Sequence, residues 1–395
     1  MTDDLAPARA GNSATSSEIA RLSEVAVVDG ELVDPNQDPT SRNGVVVYDP
    51  AVAAVLAALD QGAQEHLDAV RPRKTRIGYA RDWALWEEFH GWLAERTGVP
   101  LPLTAVNKGT LVGFVTWLDE VKQAAPNSID RRITGVTSTA RRPPYDVEVP
   151  KEATVAARAA LKPLKNDRLR QARGRGQAAP ASPEQLRAMN TAPRTVTAGS
   201  EPATRPGRRA YDLPDLAVYR DRALVTMAFG IAGRAEEVSA LTLADIVLVE
   251  EGLEVHVPSV KGRPARDVEI AWGSHPDSCP VLNWLAWKGA AEAAGLGAVG
   301  PAFRGVDQWG HLGTRRLSPD GCRLVITRSA ERAGLDVRLT GHSMRSGFIT
   351  TGSKKGKRPD QLRRQSGHSA SSAVFWEYVR RGARWEETAS QGIGL

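Results

Sequence analysis

Residues 216–246 read LAVYRDRALVTMAFGIAGRAEEVSALTLADI. From Leu216 to Ile231 the stretch is strongly apolar, and it predicts a helix buried on most of its surface. At Gly233 the pattern changes. Arg234 and Glu237 follow at i and i+3, on one face of a new turn. Taken singly, that pair is an ordinary helix ion pair of little worth. Next come two alternating runs, Leu253 to Pro258 and Asp267 to Trp272, which predict a small antiparallel hairpin. Its turn, Val260 to Arg266, carries Lys261. From Val281 the pattern is helical again to near the end. A buried helix, one hairpin and a helical remainder predict a mainly α fold with a small antiparallel β-sheet.

Upstream, Ser182-Pro183-Glu184-Gln185 carries a helix start: Ser182 caps, Pro183 suits the first turn and Gln185 completes a capping box. Pro193 to Pro214 is polar and reads as a surface loop. Lys165, Arg168, Arg170, Arg173 and Arg175 lie among Gly and Pro in a stretch that reads as a basic linker, 162–182. Before it, Tyr79, Trp83, Trp86, Phe89 and Trp92 recur every three or four residues within Thr75 to Leu93, the core-facing stripe of a helix. Helical patterns at Ala51 to Leu59, Thr110 to Val121, Ser128 to Ala140 and Lys151 to Leu161 complete an all-helical bundle. Residues 1–50 have little periodicity and read as a flexible arm, with Val45 to Tyr48 as a short strand or docking segment. The expected organisation is therefore an arm (1–50), a helical bundle (51–161), a basic linker (162–182) and a mostly helical second domain (183–395). At 395 residues the chain is too long for one compact core.

Lys and Arg exceed Asp and Glu, giving a formal net charge of +6, which favours a polyanionic partner without naming one. Cys279 and Cys322 form no paired framework, so a reducing compartment is expected. No apolar run reaches the length of a membrane span, and residues 1–17 lack the regions of a signal peptide. The expected location is the cytoplasm.

The C-terminal third holds the remaining signals. Gly341-His342-Ser343-Met344-Arg345 repeats the i, i+3 geometry with His and Arg. Gly367-His368 follows, and Tyr378 stands near the end, the only tyrosine after Tyr219. Each is weak alone. In order, Arg-x-x-Glu after a buried helix, a hairpin with a turn lysine, His-x-x-Arg, Gly-His and a late Tyr resemble the tyrosine recombinases, the phage-type integrase family that includes the Xer and Cre recombinases. The resemblance covers about residues 183–395. Leu241, Leu243, Asp245 and Ile246 fit the family's first box. Gly341-His342-Ser343 with Arg345 and Gly347, Tyr378-Val379-Arg380, and the closing Thr388, Ala389 and 392–395 look most like the Cre branch. On Thr75, Tyr79, Asp82 and Trp83, the bundle resembles the family's core-binding domain. One departure is the spacing: His368 to Tyr378 is ten positions, where nine is common. The other is the long 193–214 segment.

The resemblance implies site-specific cleavage and rejoining of double-stranded DNA through a 3′-phosphotyrosine on Tyr378. Arg234 and Arg345 would hold the non-bridging phosphate oxygens with their forked donors. Lys261 would protonate the departing 5′ oxygen. His342 and His368 would assist proton handling, and Glu237 would orient a basic partner. No metal and no nucleotide cofactor is implied: near these motifs there is no ligand cluster and no phosphate-cradling loop. Lys354, Lys355, Lys357, Arg358, Arg363 and Arg364, with Arg168, Arg170 and Arg173 of the linker, are candidate phosphate contacts. The apolar tail, Trp385, Ile393 and Leu395, would dock in a neighbouring protomer of a tetramer. An accessory DNA-bending or directionality protein and a nucleoid location fit the same picture. DNA resolution, topoisomerase-like relaxation, or a catalytically inactive DNA-binding relative remain alternatives. The last predicts losses among Arg234, Lys261, His342, Arg345 and Tyr378, and none is missing.

Overall fold

A computed structural model of the chain describes residues 48–174, 176, 178–196, 210–260, 262–385, 388 and 390. Lys261, Arg175, residues 45–47 and the tail residues Ile393 and Leu395 lie outside the described residues. So does most of the expected arm. The chain divides into two compact units, Met1–Asp82 and Trp83–Leu395. Among the described residues no helix is long and apolar enough to cross a membrane.

In the first unit, helix α1 (Pro50–Val70) begins at Asp49, whose side chain accepts a hydrogen bond from the Ala51 N–H at 2.9 Å. It is longer than the Ala51 to Leu59 run predicted, because the polar residues that follow are also good helix formers. Every described side chain on it is exposed. Helix α2 (Arg73–Thr97) starts in this unit and continues into the second.

The second unit holds two large, separate apolar cores and two smaller clusters. The first joins α2 to α3 (Lys108–Glu120), α4 (Pro126–Ala140) and α5 (Lys151–Asn166). The aromatic stripe is core, as its spacing predicts: Trp83, Trp86 and Phe89 are buried, and Trp86 meets Phe114 edge-on with ring centres 5.2 Å apart. The Trp86 indole N–H donates to the Leu103 carbonyl at 3.0 Å, so its one polar atom is satisfied.

The first half of the stretch read as a basic linker is helical. Helix α5 continues through Pro163 to Asn166, and α6 (Arg168–Ala172) follows, capped by Asp167. Asp119 of α3 is buried and needs countercharge. Arg170 donates from Nε at 2.9 Å and Arg173 from Nη1 at 2.6 Å to its carboxylate. These two arginines therefore fasten the connector to the bundle.

Next, the Ala181 N–H donates to the Ser343 carbonyl at 2.9 Å. A Cβ on Gly347 would lie 2.1 Å from the Ala181 carbonyl oxygen, so only glycine allows this strap to cross so closely.

The second core is built on α8 (Asp215–Gly230), buried over most of its length as the apolar run predicts. It is preceded by α7 (Pro183–Thr191), where Ser182 and Gln185 make the expected reciprocal capping bonds. Between α7 and α8, β1 (Thr195–Val196) pairs antiparallel with β2 (Tyr211–Asp212), so the segment read as a plain loop is closed at its base by a short hairpin. After α8 come α9 (Ala235–Ala240) and the antiparallel sheet of β3 (Ile246–Val249), β4 (Gly252–Val257) and β5 (Arg266–Ala271). Val255 sits opposite both Ile246 and Val268, and these inward residues close over α8.

Helix α10 (Pro280–Ala293) leads to a third hairpin, β6 (Arg304–Val306) and β7 (Leu312–Arg316). The expectation of unbroken helix after Val281 is corrected here. Gly305, Gly310 and Gly313 interrupt the pattern, and Gly310 has φ +91°. Helices α11 (Pro319–Arg332), α12 (Gly341–Lys354), α13 (Pro359–Ser366) and α14 (Ala373–Ala383) complete the unit. The fold is mainly helical with small antiparallel sheets, as expected, but there are three sheets among the described residues and not one. Cys279 and Cys322 are both buried and unpaired.

Candidate active site

The turn after α8 sets up the site. Ala232 has φ +46°, a left-handed conformation uncommon for a residue with a Cβ. This turns its carbonyl toward α12, where Arg345 Nη1 donates to it at 2.9 Å. Arg234 then stands at the N-cap of α9. Glu237 answers it twice: one oxygen accepts from the Arg234 backbone N–H and the other from Arg234 Nη1, each at 2.9 Å. Glu237 is buried and also accepts from Arg266 Nη2 at 3.0 Å. The predicted i, i+3 pair is thus one arm of a two-arginine clamp. Burial alone would raise the Glu237 carboxyl, but Arg266 and Arg234 outweigh it and hold it below the usual range.

Arg266, at the start of β5, reaches further. Its Nε donates to the Gln365 carbonyl at 2.9 Å, and its Nη2 lies 3.2 Å from the Ile231 carbonyl. It therefore joins the hairpin, the turn before Arg234 and the end of α13. That helix ends on Gly367, at φ +61° and ψ +39°, a left-handed cap that glycine adopts without strain. The cap delivers His368. Arg345 Nη2 lies 3.0 Å from His368 Nδ1, and Ser366 Oγ lies 2.9 Å from the same atom. Arginine only donates, so the ring nitrogen facing it must be unprotonated. Consistently, burial and then Arg345 push His368 down to about 3.

Arg234, His342, Arg345, His368 and Tyr378 line one cleft of about 530 Å³. Five of the six residues the sequence reading assigned to chemistry thus meet in one place, from α9, α12, the α13–α14 loop and α14. The sixth, Lys261, lies outside the described residues; its neighbours Val260 and Arg263 form a bridge across the hairpin turn. The cleft is cationic. Burial, then Arg234, lowers Arg345 to about 9, and burial with Arg234 and Arg345 lowers His342. Burial also lowers Arg234, despite Glu237. Tyr378 is raised by burial and by Glu377, so its phenol is neutral near pH 7.

The extra position between His368 and Tyr378 is taken up in the loop 369–372. Ser372 turns back to the Ser369 carbonyl and caps α14 by accepting from the Phe375 N–H. Tyr378 packs beside Ile349, Leu362, Phe375 and Val379.

The other basic candidates scatter. Lys354, Lys355, Lys357 and Arg358 are exposed around the end of α12 and do not line this cleft. Arg363 and Arg364 line a second recess of about 310 Å³ with Arg234, Arg263, Arg266 and His368. Arg168 is exposed, whereas Arg170 and Arg173 are engaged with Asp119. Sequence reasoning missed Arg263 and Arg266. The signal available was the basic turn KGRPAR at 261–266.

Arginine, histidine and tyrosine thus converge on one cationic cleft among the described residues. No protein-family model matches the chain. It is 22% identical over 331 residues to an integrase/recombinase XerD homolog of Selenomonas ruminantium, covering 83% of this chain and 87% of the relative. In structure it is similar to the Tn1549 transposon integrase in complex with transposon right end DNA, with a TM-score of 0.50, 15% identity, and 82% and 96% of the two chains covered. It also matches the XerH site-specific recombinase bound to palindromic difH substrate, with a TM-score of 0.49, 14% identity, and 79% and 76% covered. The likeness to the solved integrase is one of fold.

Proposed function

We propose that this protein is a site-specific DNA recombinase that cuts and rejoins double-stranded DNA through a 3′-phosphotyrosine on Tyr378. The observation that carries the reading is the single cleft shared by Arg234, His342, Arg345, His368 and Tyr378. Two guanidiniums without a full complement of carboxylates stabilise the charge that gathers on a phosphoryl group in the transition state. The Tyr378 oxygen bonds to phosphorus, the bond to the 5′ oxygen breaks, and that oxygen takes a proton from the Lys261 ammonium. His342 and His368, both held in the neutral form, relay the phenol proton and hydrogen-bond the phosphate. Glu237 and Arg266 keep Arg234 in place. The reverse reaction restores a DNA strand, so the bond energy is conserved in the phosphotyrosine.

The bundle at 51–161 and the region 183–395 act as core-binding and catalytic domains on opposite faces of the duplex, joined by the basic segment 162–182. The second box resembles the Cre branch. The protein works as a homotetramer coupled by its C-terminal tail, at the nucleoid, with an accessory DNA-bending or directionality protein.

The test is covalent trapping on nicked suicide duplexes built from DNA flanking the gene. Wild type is expected to form a covalent adduct, and Tyr378→Phe to bind the same duplex without forming one. An adduct that persists in Tyr378→Phe overturns the nucleophile. Specific binding by wild type with no adduct overturns the enzyme reading.

A further inference from the structure

The two recesses share Arg234, Arg263 and His368. The larger holds Tyr378. The smaller, behind Arg234, is closed by Arg266, Arg363 and Arg364. Most charge there is already answered. Arg234 and Arg266 are tied to Glu237, Asp360 is held by Arg358, and Arg364 faces Glu269 at 3.6 Å. No described carboxylate pairs with Arg263 or Arg363. These two guanidiniums are the unanswered charge of the recess.

Arg263 is exposed, yet its backbone is fixed. The Ser259 hydroxyl donates to the Arg263 carbonyl at 2.6 Å, and the Arg263 N–H donates to the Val260 carbonyl at 3.2 Å. The turn therefore holds a forked cation at the lip between the two recesses. Its neighbours feel it: after burial and the nearer charges, Arg263 is among the groups that push Arg234, Arg345 and His368 down. Such crowding of like charge is costly without an anion. Arg234 and Arg345 suffice for one phosphate in the Tyr378 cleft. The smaller recess offers the same chemistry one step along.

We propose that the recess behind Arg234 is a second phosphate subsite, in which Arg263, with Arg363, binds the DNA phosphate neighbouring the one attacked by Tyr378. This rests on the recombinase reading. Arg263 holds the backbone from the hairpin turn, so strand position is set by that element.

The test pairs Arg263→Gln and Arg263→Lys with duplexes carrying a neutral methylphosphonate at single positions around the cleaved phosphate. On the normal duplex, Arg263→Gln is expected to weaken binding about tenfold, with Arg263→Lys retaining most of it. One methylphosphonate, next to the cleaved phosphate, should weaken wild type by a similar factor and add nothing to Arg263→Gln. Equal additive losses at every position, or coupling to the cleaved phosphate alone, would overturn the subsite. A second readout needs no chemistry. On nonspecific duplex, the slope of log K against log salt should be shallower by about 0.9 in Arg263→Gln, the value for one phosphate. An unchanged slope overturns the inference even if adducts form; a shallower slope without any adduct keeps the subsite and rejects the recombinase reading.

Discussion

Two arginine–carboxylate triads stand in the same unit and look alike. In one, Asp221 takes bonds from Arg220 at 2.6 Å and from Arg328 at 2.7 Å. In the other, Glu237 takes bonds from Arg234 at 2.9 Å and from Arg266 at 3.0 Å. All six side chains are largely buried, with Arg328 10% exposed and Arg234 17%. Burial does not tell them apart. Charge balance does. Within the Asp221 triad the positive charge is answered: burial pulls Arg328 down, but Asp221, with Tyr211, more than offsets it and the group ends raised, whereas Arg332, outside the triad, ends lowered by burial and then by Arg328 and Arg222. Around Glu237, Arg345 and Arg263 add positive charge without another carboxylate, and both Arg234 and Arg345 end lowered. The first triad is a closed structural joint between α8 and α11. The second is short of negative charge, which on the proposed function a DNA phosphate supplies.

The sharpest break in that comparison is Arg234→Gln. Removing a donor aimed at the reacting group is expected to slow adduct formation by about 10²–10³-fold. Thermal unfolding should shift by only a few degrees, because Arg266 still answers Glu237. Adduct formation within tenfold of wild type would erase the distinction drawn between the triads.

Asp221→Ala makes the converse case. It leaves two buried guanidiniums facing each other, and stability is expected to fall by about 3–5 kcal/mol in denaturant titration. At a temperature where the variant is still folded, its adduct rate should stay within about threefold of wild type. A large rate loss in the folded protein would mean that the Asp221 joint also shapes the cleft.

How much of this was legible in the sequence depends on the range of the interaction. The aromatic stripe, the Ser182 capping box and the Arg234–Glu237 pair are local, and each was readable from spacing of three or four residues. Arg345 and His368 were readable only as members of an ordered set. Their contact bridges 23 positions, and no periodicity encodes it. Arg266 closes on Glu237 across 29 positions, and Arg170 on Asp119 across 51, so a basic connector that scans as free charge is spent on folding. The β6–β7 hairpin was hidden by short strands in a glycine-rich stretch with little apolar alternation. The left-handed turn at Ala232 was also invisible, since alanine gives no sign of positive φ.

The smallest expected effect is on stability against pH. The folded His368 sits near 3, below its ordinary 6.5. Between those values the unfolded chain binds a proton on this imidazole and the folded chain does not. Stability from this group is therefore fully present above pH 6.5 and is lost as pH falls below it, at no more than about 1.4 kcal/mol per pH unit. His368→Gln removes that slope and keeps the contributions of His90 and His342, whose values are also lowered by burial. Denaturant titrations from pH 7.5 to 5 should give a shallower descent in the variant than in wild type. Parallel curves would mean that His368 titrates normally and that the cleft is not short of negative charge. Repeating the series with bound duplex sharpens the contrast between the triads. A phosphate beside Arg345 raises His368 toward its ordinary value, so the two descents should converge with DNA present.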